Sequence, residues 1–199
     1  MHEAANPRMK TSALLLSLLA AAVQARAQEA PPPPTPSQAE IEQRMCAETP
    51  CQRNLRIVLK QKDGTPYDRT FPVFPAIVQG LGITVVGGQT VHVEAGVEGD
   101  RLVNLRSVPV VIDPAITITA TFEQMEDGGM MLKVHNPFGK PVKFRMGIMP
   151  LDGESLYRTT SCPIAAGKDS YELWPGPAFQ VLLADGRLLA QGDDMGCVE

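Results

Sequence analysis

The chain has 199 residues, a formal net charge of −4 and a hydrophobic fraction of 44%. This mildly acidic balance excludes the electrostatic signature of a nucleic-acid-binding protein. It also excludes a basic patch for anionic lipid. The length is sufficient for one domain with a substantial hydrophobic core.

Residues 1–27 have the pattern of a cleavable signal peptide. Arg8 and Lys10 form a basic region, and the apolar stretch 11–23 follows it. That stretch is too short to span a bilayer, which takes about 20 apolar residues. The small residues Ala25 and Ala27 indicate cleavage near Ala27. We therefore predict a periplasmic or secreted protein whose mature chain has no membrane span. Cleavage would remove three basic residues and one acidic residue, and the formal charge would change from −4 to −6.

Residues 28–44 are predicted to form a Pro-rich linker followed by a short helix. The proline run is expected to be extended and semi-rigid, because proline fixes φ and lacks a backbone N–H. Ser37 and Glu40 have the spacing of a capping box, which predicts a helix from there to about Met45. The remaining residues, 45–199, are predicted to form a single β-sandwich domain.

The four cysteines all follow the predicted cleavage site. They are Cys46, Cys51, Cys162 and Cys197. An even number in an exported chain indicates two disulfides. Cys46 and Cys51 are close enough in sequence for a local loop, which leaves Cys162 to pair with Cys197. Zinc is the competing interpretation, but zinc sites usually combine two closely spaced pairs and this chain has only one.

From Leu55 onward, apolar residues recur with the period of two that is typical of strands. In Ile116–Phe122, apolar residues alternate with Thr117, Thr119 and Thr121, which predicts a half-buried antiparallel strand with a solvated threonine face. Glycine-containing turns separate many short strands, and Asp185-Gly186 is among the predicted turns. This pattern predicts an all-β, immunoglobulin-like antiparallel β-sandwich.

The strand 90–97 is predicted to pair with the strand 103–108. If Val103 and Leu105 point toward the core, Ala95 pairs with Leu105. This register places Glu94 opposite Arg106 on the outer face, where an ion pair helps to order the sheet.

No motif in the sequence indicates catalysis. His92 and His135 are the only histidines after the signal segment, and nucleophile-elbow, zinc-protease and phosphate-loop motifs are absent. Acidic pairs occur at predicted turns, and two of them could serve a hydrolase only if they converged across a cleft. We therefore predict a protein without enzymatic activity and without a cofactor. A hydrolase with an unrecognised carboxylate site is one alternative.

The first alternative, ahead of the hydrolase, is a periplasmic copper carrier, because thioether and imidazole ligands suit Cu(I). The candidate ligands are Met131, His135 and Met149. We predict instead that 130–149 forms a hairpin in which Val134 pairs with Val142. This hairpin directs Met130 and Met146 to the core and leaves Met131 and His135 outside beside Lys133, Lys143 and Arg145. Those cations would repel a metal ion.

Trp174, the only tryptophan, precedes a Pro-Gly-Pro turn. It could be a binding anchor, because interface hot spots favour tryptophan. We expect it to fill one end of the core instead, because aromatic residues are scarce in this chain. Because catalytic motifs are absent and the predicted sandwich has exposed edge strands and loops, we predict a disulfide-stabilised module that binds a protein of the cell envelope.

Overall fold

The computed structural model describes residues 35–47, 49–80 and 82–197. The predicted signal peptide and nearly all of the Pro-rich linker lie outside these residues. Within these residues, twelve strands follow one helix, α1 (Gln38–Met45). The strands are β1 (Gln52–Lys60), β2 (Pro66–Phe74), β3 (Val78–Gln79), β4 (Gly82–Val86), β5 (Gln89–Glu98), β6 (Arg101–Val108), β7 (Thr117–Gln124), β8 (Met130–His135), β9 (Val142–Pro150), β10 (Tyr157–Thr159), β11 (Asp169–Trp174) and β12 (Ala178–Leu188).

Helix α1 begins at the capping box that the sequence predicts. The Glu40 N–H donates to Ser37 Oγ, and the Ser37 N–H donates to the Glu40 carboxylate at 2.7 Å. These two bonds satisfy backbone donors that have no partner within the first turn of a helix. Among the described residues, no helix has the length and apolar character needed to cross a membrane.

The strands form two antiparallel sheets. Strands β1 and β2 make a two-stranded sheet, and the other ten strands belong to one larger sheet. Its first half has the order β6-β5-β7-β8-β11, and its second half has the order β3-β4-β12-β9-β10. A single pairing, Arg101 with Arg187, joins the halves at one corner. The buried faces of both halves, and of β1 and β2, contribute to one core. The architecture is therefore all-β and antiparallel, as an all-β sandwich requires.

Strand β12 belongs to the corner between the two half-sheets. It continues through the Asp185-Gly186 dipeptide and bends there. The prediction that this dipeptide separates two strands is wrong. Asp185 has a φ of +51°, and the β9–β12 register shifts between Ala184 and Arg187. This irregularity is a bulge, which bends a strand without ending it. Gly186 is required there, because an added Cβ would lie 2.7 Å from both Leu102 and Phe144.

A bulge also alters the predicted register between β5 and β6. Glu94 lies opposite Arg106, as predicted, and the two side chains form an ion pair. Beyond them the register shifts, so Gly96 lies opposite Val103 and the predicted pairing of Ala95 with Leu105 is wrong. Asn104, with a φ of +52°, lies in this irregularity. The extra residue reverses the alternation, and Leu102 enters the core instead of Val103.

The predicted hairpin 130–149 does not form. Strand β8 pairs with β7 and β11, whereas β9 pairs with β10 and β12 in the other half of the sheet. The connecting loop is held by Asn136, which is fully buried. Its amide donates to the carbonyls of Lys140, Ile164 and Ala165, and its Oδ1 accepts from Phe138 N–H. The connection therefore crosses between the halves.

The methionines of this segment still divide as predicted. Met130 and Met146 are buried in the core, whereas Met131 is half-buried on the outer face. The prediction that the threonines of β7 form a solvated face is wrong at one end of the strand. Thr117 is buried, and its hydroxyl donates to the carbonyl of Asp113.

Both predicted disulfides are present. Cys46 is bonded to Cys51, and Cys162 is bonded to Cys197. The described residues contain no free cysteine. The second bond ties the C-terminal tail to the segment that follows β10.

Candidate binding surface on the outer face of the sheet

Four polar residues from four adjacent strands form a row across the outer face of the first half-sheet. His92 on β5 pairs with Thr119 on β7, Thr119 pairs with His135 on β8, and His135 pairs with Asp169 on β11. His92 Nδ1 lies 3.0 Å from Thr119 Oγ1, and His135 Nδ1 lies 2.7 Å from Asp169 Oδ1. The register thus brings both described histidines to one surface.

A second row lies one step along the strands. It consists of Thr90, Thr121, Lys133 and Tyr171, each the cross-strand partner of the next. The hydroxyls of Thr90 and Thr121 lie 2.9 Å apart, and Lys133 Nζ lies 5.8 Å from the centroid of the Tyr171 ring. We call these two rows the polar face. A cavity of about 330 Å³ lies between them.

Asp169 is the electrostatic centre of the polar face. One carboxylate oxygen lies 3.0 Å from Lys133 Nζ, and the other binds His135. Lys133, and to a lesser extent His135, hold the pKa of Asp169 below its ordinary value. The same ion pair raises the pKa of Lys133. Asp169 is therefore an ionised acceptor with both oxygens engaged, which suits a fixed recognition surface.

Strand β11 is an edge strand beside the polar face, because β8 is its only neighbour among the described strands. All six of its residues pair with β8 without a register shift. Tyr171 and Leu173 point outward and are 56% and 62% exposed. The strand contains no lysine, proline or bulge, although it carries Asp169 and the inward Glu172, and charged side chains also discourage edge pairing. Its inward side carries Glu172, whose pKa is raised by burial.

Trp174, at the end of β11, is packed inward. Its indole lies edge-on against Phe122, with ring centroids 5.9 Å apart, and its Nε1–H donates to Thr159 Oγ1 at 3.1 Å. A tryptophan so engaged contributes core volume and satisfies its own N–H. The geometry agrees with the expectation that Trp174 fills the end of the core.

The structure does not bring the candidate copper ligands together. Met131 and His135 are separated by four residues on β8, which corresponds to about 13 Å along the strand. Met149 lies on β9 in the other half-sheet. Lys143 and Arg145 also lie on β9, so they are not the neighbours of His135 that the hairpin predicted. In the described part of the chain, no group of three or more His, Cys, Asp or Glu side chains could hold a metal ion.

The acidic pairs at the turns stabilise local structure. Asp127 accepts from Gly129 N–H, Asp193 from Ala190 N–H and Asp194 from Gly196 N–H. Asp152 pairs with Lys62 across the surface. These carboxylates have the roles that turn geometry assigns to acidic residues.

Sequence reasoning missed Asp169, which is 34 residues from His135. No local pattern could have found this contact, because it depends on β8 pairing with β11. A comparison of the chain with protein-family models, with curated proteins and with solved structures found no match.

Proposed function

We propose that this chain is an exported, non-enzymatic binding module with an immunoglobulin-like sandwich fold, which binds a protein of the cell envelope through strand β11. The observation that carries the proposal is the edge position of β11, which pairs on one side only among the described strands. The signal-peptide pattern of residues 1–27 and the two disulfides support export to an oxidising compartment such as the periplasm.

Strand addition accounts for the features of this edge. A partner peptide would hydrogen-bond to the free backbone of β11, and its side chains would contact the outward residues. Tyr171 and Leu173 supply apolar area there, and Asp169 and Lys133 supply charges of both signs. Such a surface selects a partner by alternating apolar and charged positions.

Site-specific photocrosslinking in envelope extract tests this proposal. We expect a photoreactive residue at Tyr171 to capture a reproducible envelope protein. The matched control is Val58 on β1, which is 55% exposed but lies in the separate two-stranded sheet. The same protein captured from both positions, or none from Tyr171, would contradict the proposal.

A double variant of β11 provides a second test of this proposal. Tyr171→Lys with Leu173→Lys places two lysines on the edge, which discourages strand pairing. With the photoreactive residue moved to the exposed position Lys168, which directly precedes β11, we expect this variant to lose the crosslinked partner while retaining the unfolding midpoint of the Val58→Lys control. Retention of the partner would show that β11 is not the docking edge.

A further inference from the structure

A groove lies at the corner where β6, β12 and β9 meet, away from the polar face. Its volume is about 870 Å³, within the range of small-molecule sites. Five cationic residues and three acidic residues line it. The cations are Arg101, Lys143, Arg145, Arg158 and Arg187, and the acids are Asp100, Asp185 and Asp194. The groove therefore has a local surplus of two positive charges in a chain whose net charge is −4.

Three of the cations lie directly opposite one another. Arg101 on β6 is the cross-strand partner of Arg187 on β12, and Arg187 is the partner of Lys143 on β9. Like charges in direct cross-strand positions destabilise a sheet. Repulsion within this row of cations therefore destabilises the corner, where the bulge in β12 and the pairing of β6 with β12 hold the two half-sheets together.

Carboxylates neutralise only part of this charge. Arg145 lies 3.2 Å from Asp185. Among the described residues, no carboxylate forms an ion pair with Arg101, Arg158 or Arg187. Lys143 is only 8% exposed, and its Nζ donates to the carbonyl of Gly196 at 2.9 Å. A buried ammonium normally has an anionic partner.

The C-terminal tail forms one wall of the groove. The Cys162–Cys197 disulfide fixes the tail beside β9, so that Gly196 reaches Lys143 and Asp194 lines the opening. Thr159 lies on another wall, and its oxygen accepts the bond from Trp174, which leaves its hydroxyl hydrogen free to donate.

We infer that this groove binds a phosphate group, held by Arg101, Arg158, Arg187 and Lys143. Guanidinium groups bind phosphate oxygens with paired N–H donors, and several cations around one site favour a dianion. The surplus of two charges matches one phosphate dianion. No residue of strand β11 lines this site, and the site does not depend on the proposed strand addition.

Calorimetric titration with inorganic pyrophosphate and inorganic phosphate at low ionic strength tests the inference. We expect millimolar or tighter binding, and loss of a charge-assisted hydrogen bond weakens such binding at least about tenfold. The Arg101→Gln/Arg187→Gln double variant is therefore expected to bind at least about tenfold more weakly. Arg53→Gln with Arg69→Gln, two exposed arginines on β1 and β2, is the control and should bind normally. Absence of binding up to about 10 mM, or equal weakening in the control, would overturn the inference.

Thermal unfolding supplies a readout that does not require the ligand. The Arg101/Arg187 double variant should have a higher Tm than the wild type in phosphate-free buffer, because like charges are removed. A lower Tm would overturn the argument from repulsion. Arg158→Gln, on the short exposed strand β10, should weaken pyrophosphate binding even if the double variant does not fold.

Vesicle sedimentation distinguishes the source of the phosphate group. Binding of the wild type to vesicles that contain phosphatidic acid, whose phosphomonoester can carry two negative charges, would support the inference with a lipid headgroup as the source, provided that it is lost in the Arg158→Gln variant and absent for phosphatidylcholine vesicles. Binding of inorganic phosphate without sedimentation would support it with a soluble phosphate as the source.

Discussion

His135 Nδ1 lies 2.7 Å from Asp169 Oδ1, and this contact joins the last interior strand of the sheet to its edge strand. Lys133 binds the second carboxylate oxygen of Asp169. Because β11 has no other neighbour in the part of the chain that the structure describes, these side-chain contacts help to keep the edge strand in register.

Replacing Asp169 with Asn should destabilise the protein by about 0.5–1 kcal/mol at neutral pH, the upper range for partly exposed ion pairs. The native-state pKa of Asp169 is depressed, so the ionised group stabilises the fold above the unfolded-state pKa. That contribution is lost as the pH falls through the native-state pKa. Urea unfolding at several pH values would measure the difference. Glu123→Gln, an exposed carboxylate on β7 without an ion pair among the described residues, should have no comparable effect.

Glu172 should show the opposite pH dependence. Burial raises its native-state pKa, although the Cys162 N–H donates to its carboxylate and partly offsets the shift. Ionised Glu172 therefore costs stability, and the cost is fully present above the raised pKa. We expect Glu172→Gln to be more stable than the wild type at neutral pH and equal to it in acid. Equal stability at both pH values, measured by urea unfolding, would contradict this assignment.

Loss of the Cys162–Cys197 disulfide should destabilise the protein by about 4 kcal/mol in the chain-entropy treatment, because the bond joins residues 35 apart. Loss of Cys46–Cys51, which joins residues five apart, should cost about 2 kcal/mol. Chemical unfolding of the two Cys→Ser double variants would measure both values. A larger loss from the local bond would contradict the ranking.

Gly186→Ala should destabilise the corner between the two half-sheets by about 1–3 kcal/mol, the usual cost of overpacking a core. The new Cβ would lie 2.7 Å from atoms of Leu102 and Phe144. Gly139 is the matched control, because no atom lies within 4 Å of its added Cβ. Gly139→Ala should therefore leave the unfolding midpoint unchanged, and an equal effect of the two substitutions would contradict the packing argument.

Local sequence determined the elements that depend on near neighbours. The capping box of Ser37 and Glu40 predicted α1, and the period of two predicted most strands, including β8 with unchanged bounds. The even number of cysteines and the closeness of Cys46 to Cys51 predicted both disulfides. These features follow from backbone geometry and from contacts within a few residues.

Only the tertiary structure decided which strands are partners and where bulges occur. Met130 and Val142 begin adjacent strands in sequence, but these strands belong to different half-sheets, and the buried Asn136 holds the loop between them. The contact of His135 with Asp169 and the row from Arg101 to Lys143 follow from such pairings. Strand partnership depends on burial summed over the whole core, whereas alternation along one strand depends only on that strand. The sequence by itself therefore determined the alternation within most strands, and the fold decided where a bulge shifts that alternation and which polar side chains meet on the surface.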